Sequence, residues 1–137
     1  KGGIGKSMVS SHVSFALSTK GLRVLHIGCD PKHDSTRLLL KGVMPETVLE
    51  TLRDREFNIE SIALDEVVFE SSFNSECSGA IYCAESGGPD PGVGCGGKGV
   101  VEAIEALGRL NAFEELELDV VLYDVLGDVV CGGFAMP

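Results

Sequence analysis

Basic residues are scarce in this chain of 137 residues, in which 11 Lys and Arg stand against 21 Asp and Glu for a formal net charge of −10. A sequence-independent grip on nucleic acid or anionic lipid needs clustered cations, so the composition points to proteins or small molecules as partners, with no nucleic acid and no membrane. No run of about 18 apolar residues and no charged-then-apolar leader is found, so nothing suggests a membrane span or an export signal. The cytoplasm is the expected compartment. The five cysteines, Cys29, Cys77, Cys83, Cys95 and Cys131, are odd in number and irregular in spacing, which makes a poor disulfide framework. No CxxC pair suggests zinc. Repeats and linkers are lacking too, and the size fits one soluble globular domain or most of one.

What the chain has in excess is glycine: 18 residues, gathered around positions 1–6, 87–99 and 127–133. Such loops bring backbone close to ligands. There is no initiator Met, and the first residue already falls inside a motif whose supporting strand must lie upstream. Both ends read as cut, and residues 1–137 are expected to be part of a single domain.

Helix and strand patterns alternate, as expected of a doubly wound, mostly parallel α/β sheet. Residues 5–20 have helical spacing at Val9, Val13, Ala16 and Leu17, and Gly21 stands where a closing glycine belongs. The apolar run RVLHIG, residues 23–28, suits a buried strand. Residues 46–53 predict a helix, and 61–69 are ambiguous. Residues 80–84 predict a second strand, 98–110 a helix with Val101, Ile104, Leu107 and Leu110 inward, and 119–124 a third strand.

KGGIGKS at the start of the chain fits the phosphate-binding loop GxxxxGK[ST], short only of its first glycine. Gly2, Gly3, Ile4 and Gly5 would turn backbone N–H groups around phosphate oxygens at the positive end of the following helix. Lys6 would reach the β- and γ-phosphates of ATP, and the Ser7 hydroxyl would hold Mg²⁺. The bland alternative, a glycine turn that starts a helix, does not explain a lysine and a hydroxyl residue at that start. Lys1 adds a second lysine and resembles the deviant phosphate loop of dimeric ATPases, in which this lysine reaches the nucleotide of the facing subunit.

Two acidic segments follow predicted strands. Asp30 and Asp34 lie in CDPKHDS, and Asp124 and Asp128 in DVLGD, so both sets stand at carboxyl ends of strands, where open sheets place ligands. Asp124 is the candidate Mg²⁺-side carboxylate, and Asp128 could orient the attacking water. Turns favour Asp at strand ends in any case. Cys95 and Cys131 differ from the other cysteines in their glycine setting, GVGCGG and VVCGG. Bare backbone around a thiolate leaves N–H donors and room for an inorganic cluster. A [4Fe–4S] cluster needs four thiolates, and two identical subunits would supply two each. Cys29 and Cys83 read as small buried hydrophobes, and Cys77 as a loop thiol.

KGGIGKS, GCDPKHDSTRLLL, ESGGPDPGVGCGGKGV and YDVLGDVVCGGFAMP together resemble the nitrogenase iron protein family, across the whole chain apart from a divergent stretch at about 41–80. The resemblance implies a doubly wound P-loop fold and a homodimer with one [4Fe–4S] cluster between subunits. It places the cluster ligands at Cys95 and Cys131, nucleotide binding at residues 1–7, and nucleotide-sensing switches at Asp30 to Asp34 and Asp124 to Asp128. It further implies an ATP-dependent electron donor to a nitrogenase-type catalytic partner for dinitrogen reduction, fed by a ferredoxin- or flavodoxin-type donor.

Three positions depart from the common pattern of that family. Met8 stands where many relatives have Thr. Lys98 replaces an arginine that contacts the partner and can be ADP-ribosylated. His33 is more reminiscent of the tetrapyrrole-reducing branches. The alternatives are therefore the ATPase of a protochlorophyllide, chlorophyllide or nickel-tetrapyrrole reductase, and a redox-inactive partitioning-type ATPase.

Overall fold

The computed structural model describes residues 3–88 and 96–127. Three strands carry the sheet: β1 Arg23–Gly28, β3 Ala80–Glu85 and β4 Val120–Asp124, with the two-residue β2 Phe69–Glu70 at one edge. β1 pairs in parallel with β3 on one side and with β4 on the other, and β2 joins β3 antiparallel, giving the order β2-β3-β1-β4. The chain thus steps from β1 to one side and later to the other. Strand order reverses at β1, and ligands in such sheets lie beyond the carboxyl ends of the strands at that point.

The mostly parallel α/β architecture is the expected one, and the strands begin and end within one residue of their predicted limits. RVLHIG is a short apolar run because both faces of β1 are covered: every residue from Val24 to Gly28 is buried. On one face Leu25 and Ile27 join Val48, Leu49 and Leu52 of α2 (Val48–Asp54) and Val100, Ala103 and Leu107 of α3 (Gly96–Arg109) in the main core. A smaller cluster of Leu39, Leu40, Ile81 and Cys83 includes Phe15 of α1 (Lys6–Thr19). α1 packs against β1, β3 and β4.

Local chemistry sets the helix limits. α2 starts two residues later than predicted because Thr47 caps it: the Thr47 hydroxyl accepts from Glu50 N at 3.2 Å while Glu50 Oε2 accepts from Thr47 N at 3.0 Å. That reciprocal capping box satisfies two otherwise orphan donors. The ambiguous 61–69 stretch resolves into single turns at Ile59–Ser61 and Leu64–Glu66 and the start of β2. A four-residue helix, α4 Ala112–Glu115, precedes β4.

The inward face predicted for residues 98–110 holds at three of four positions: Leu107 is fully buried and the half-buried Ile104 and Leu110 pack against the main core, whereas Val101 does not join it; Val100, Ala103 and Ala106 complete the buried face. In α1 Val9 and Val13 are 63% and 41% exposed, Phe15 packs against the smaller cluster, and the fully buried residues are Ser11, Ser14 and Ser18. Apolar spacing located α1 as a helix but not its orientation, because the sheet offers it hydrogen-bond partners there.

Candidate functional site

The glycine loop enters α1 in a strained backbone. Gly3 and Gly5 have φ of 72° and 85°, and a Cβ on either would meet only open space. Glycine is therefore required by the left-handed conformation and not by crowding. Such residues turn successive N–H groups to one side, the geometry that cradles anions. α1 begins without a side-chain cap and without an acidic residue in its first turn, so no carboxylate of that turn offsets the positive end of its dipole. Lys6 and Ser7, half-buried, occupy that turn.

β1 ends at Gly28, and the loop after it is built by local hydrogen bonds. Asp30 Oδ1 accepts from Lys32 N at 3.0 Å and its carbonyl accepts from His33 N at 2.9 Å. His33 takes a positive φ of 41° to close this turn. Asp34 is exposed, but Ser35 and Thr36, next along, are buried. The loop is joined to the end of β4 by Cys29 N donating to Asp124 O at 3.0 Å.

A buried polar chain runs from α1 through β1 to Asp124. The Ser14 hydroxyl lies 2.8 Å from His26 Nδ1, and His26 Nε2 lies 2.9 Å from Ser35 Oγ. Ser35 Oγ donates to Asp124 Oδ2 at 2.5 Å. His26 is fully buried in the central strand, and desolvation lowers its pKa to about 4 even though the Asp124 charge pulls the other way. It is neutral at pH 7. The single Ser11 hydroxyl proton is shared between Ser7 O at 2.8 Å and Ser35 O at 3.2 Å, which joins the first turn of α1 to the same loop.

Glu85 ends β3 beside Gly28, and a Cβ at Gly28 would collide with its carboxylate. Thr36 N and Thr36 Oγ1 donate to Oε1 at 2.6 and 2.8 Å, whereas Oε2 is buried without a partner. Burial pushes this carboxyl up to about 7 against those two hydrogen bonds. The segment that follows Glu85 is anchored: Ser86 N and Oγ both donate to Gly28 O, and Arg53 Nη2 donates to Gly88 O at 2.6 Å.

The structure brings Asp124 and the 30–36 loop into direct contact and places Lys6 and Ser7 on the helix tied to both. Lys1, Gly2, Cys95, Asp128 and Cys131 lie outside the described residues. Cys29 and Cys83 are fully buried, as expected of small hydrophobes. Burial pushes both thiols up, Cys29 to about 12, with Glu85 adding to the effect. Cys77 is half-buried and accepts from Ser18 Oγ at 3.0 Å. Lys98 is exposed on α3 with Glu102 3.7 Å away. Among the described residues no group of three or more His, Cys, Asp or Glu could hold a metal ion, and no helix is long and apolar enough to cross a membrane.

Sequence reasoning missed His26, Ser35 and Glu85. A signal was present for two of them: an ionisable residue inside or ending a buried strand needs a partner. Nothing marked Ser35 within a polar loop.

Comparison with known proteins gives this geometry a context. The chain is 53% identical over 137 residues to the nitrogenase iron protein of Methanospirillum hungatei JF-1, covering all of this chain and 45% of that protein. It is 53% identical to nitrogenase iron protein 2 of Paenibacillus durus, again over the whole chain and 44% of the relative. With the Methanococcus voltae nitrogenase iron protein it shares 52%, over 46% of that protein's length. The chain thus spans about half the length of the curated relatives it matches. A family model for 4Fe-4S iron sulfur cluster binding proteins of the NifH/frxC family matches residues 1–137, and the chain belongs to that family.

Proposed function

We propose that this chain is the nucleotide-sensing part of an ATP-dependent electron donor of the nitrogenase iron protein type. The observation that carries the reading is the uncapped, acid-free start of α1 behind two left-handed glycines, bearing Lys6 and Ser7 and wired through Ser11 and Ser35 to Asp124. Backbone N–H groups and Lys6 bind the phosphates, with Lys1 and Gly2 completing the loop; Ser7 and Asp124 hold Mg²⁺. The donor set fits that ion, since Ser35 engages Oδ2 of Asp124 and Oδ1 has no hydrogen-bond partner among the described residues.

Asp30, Asp34 and Asp128 are the residues that respond to the γ-phosphate. Asp128 lies three residues before Cys131 in sequence, so a shift in the switch after β4 reaches a thiolate directly. Cys95 and Cys131, with the same pair from a second copy, hold one [4Fe–4S] cluster, which supplies single-electron chemistry when bound. The electron acceptor is a nitrogenase-type catalytic protein, and a ferredoxin or flavodoxin refills the donor. His33 in CDPKHDS favours a second reading, in which the acceptor is a tetrapyrrole reductase. The redox-inactive alternative has no support in the family match.

Anaerobic iron and sulfide reconstitution of the full-length protein tests the assignment. One cluster per two chains is expected, lost on Cys95→Ala or Cys131→Ala. A full cluster in either variant would remove the ligand assignment, and each reductase partner assayed in turn separates the two acceptors.

A further inference from the structure

We infer that His26 and Ser35 are positioning residues that hold the Asp124 carboxylate in one orientation and tie it to the phosphate-loop helix. This rests on the reading of Asp124 as the Mg²⁺-side carboxylate and adds a strand residue, His26, and a role for Ser35 that the loop segment alone does not show.

The direction of the hydrogen bonds is fixed by elimination. Asp124 is an acceptor, so Ser35 Oγ donates to its Oδ2 and must itself accept from His26 Nε2–H. His26 is then the Nε2–H tautomer, and its Nδ1 accepts from the Ser14 hydroxyl. The three donors, Ser14, His26 and Ser35, all point their protons toward the carboxylate, an arrangement in which each bond polarises the next. Burial keeps His26 neutral at pH 7, so the tautomer persists under working conditions.

Ser35 is the junction. Its hydroxyl orients Asp124, its carbonyl accepts from Ser11, and it follows Asp34 in the loop proposed to feel the γ-phosphate. A displacement of that loop therefore pulls on the Asp124 carboxylate and on the first turn of α1 together. Oδ2 is committed to Ser35, which leaves Oδ1 for the cation's water shell. Orienting partners of a metal-side ligand are typically worth about 10- to 100-fold in metal affinity.

The test exploits the separation of the two ring nitrogens. In the full-length, cluster-loaded protein, Mg²⁺ is titrated against a fluorescent ATP analogue and the half-saturating Mg²⁺ concentration is read, with a thermal melt of each variant. His26→Gln keeps a donor near the Nε2 position, whereas His26→Asn keeps only the side facing Ser14. His26→Gln is expected to stay near wild type, and His26→Asn and His26→Leu to need about tenfold more Mg²⁺. At the next link Ser35→Thr should retain the wild-type value and Ser35→Ala should lose it. Equal half-saturation in all variants, or losses that follow melting temperature instead of the retained donor, overturns the proposal. A wild-type protein whose analogue binding ignores Mg²⁺ sinks the nucleotide reading itself, a result distinct from either.

Discussion

Helices α1 and α3 are both 14 residues long, yet they bury opposite kinds of side chain. α3 buries Val100, Ala103, Ala106 and Leu107 in the main core. α1 buries Ser11, Ser14 and Ser18 and turns Val9 and Val13 outward. α3 is held by volume and area, so swaps that conserve volume should be tolerated there. The face of α1 is held by directed bonds, and Ser14 and Ser11 each have an assigned acceptor.

The largest break in the comparison comes from the core helix. Leu107 is fully buried, and Leu107→Ala should destabilise by about 2–5 kcal/mol while leaving nucleotide binding per folded molecule unchanged. Ser14→Ala should show the opposite balance: about 1–3 kcal/mol of stability for an orphaned His26 Nδ1, together with a weaker response to Mg²⁺. Chemical denaturation with parallel nucleotide titration checks both, and equal effects of the two on binding would erase the distinction.

A finer probe is pH. His26 falls from 6.5 to about 4 on folding, so the unfolded chain takes up its proton first and stability is lost as pH falls from 6.5 toward 4. Glu85 rises from 4.5 to about 7, so its contribution is full below 4.5 and is lost as pH rises through 7. The two oppose each other between 4.5 and 6.5. Denaturation midpoints across that window should decline with falling pH more steeply in Glu85→Gln than in wild type, and less steeply in His26→Leu. Parallel profiles for all three would show that neither group titrates as described.

The fold was largely legible in the sequence because β1, β3 and β4 are short apolar runs ending in polar loops, a pattern set by burial on both faces. The 55–79 region was not, since its single turns and two-residue β2 carry too few residues for any period to show. The glycine loop and Asp124 were legible as motif chemistry. The relay behind Asp124 was not: Ser14, His26, Ser35 and Asp124 are scattered along the chain, and only the pairing of β1 with β4 and the packing of α1 bring them together. Buried serines on a helix are indistinguishable in sequence from solvent-facing ones.

The proposed coupling has the nucleotide state of the 1–7 loop felt at Cys131 through the switch that begins at Asp124. It is read out by the rate at which a chelator removes iron from the full-length, cluster-loaded dimer with no nucleotide, with MgADP and with MgATP. MgATP is expected to accelerate removal relative to both other states, and Lys6→Ala to abolish the acceleration; identical rates in all three states would rule the coupling out.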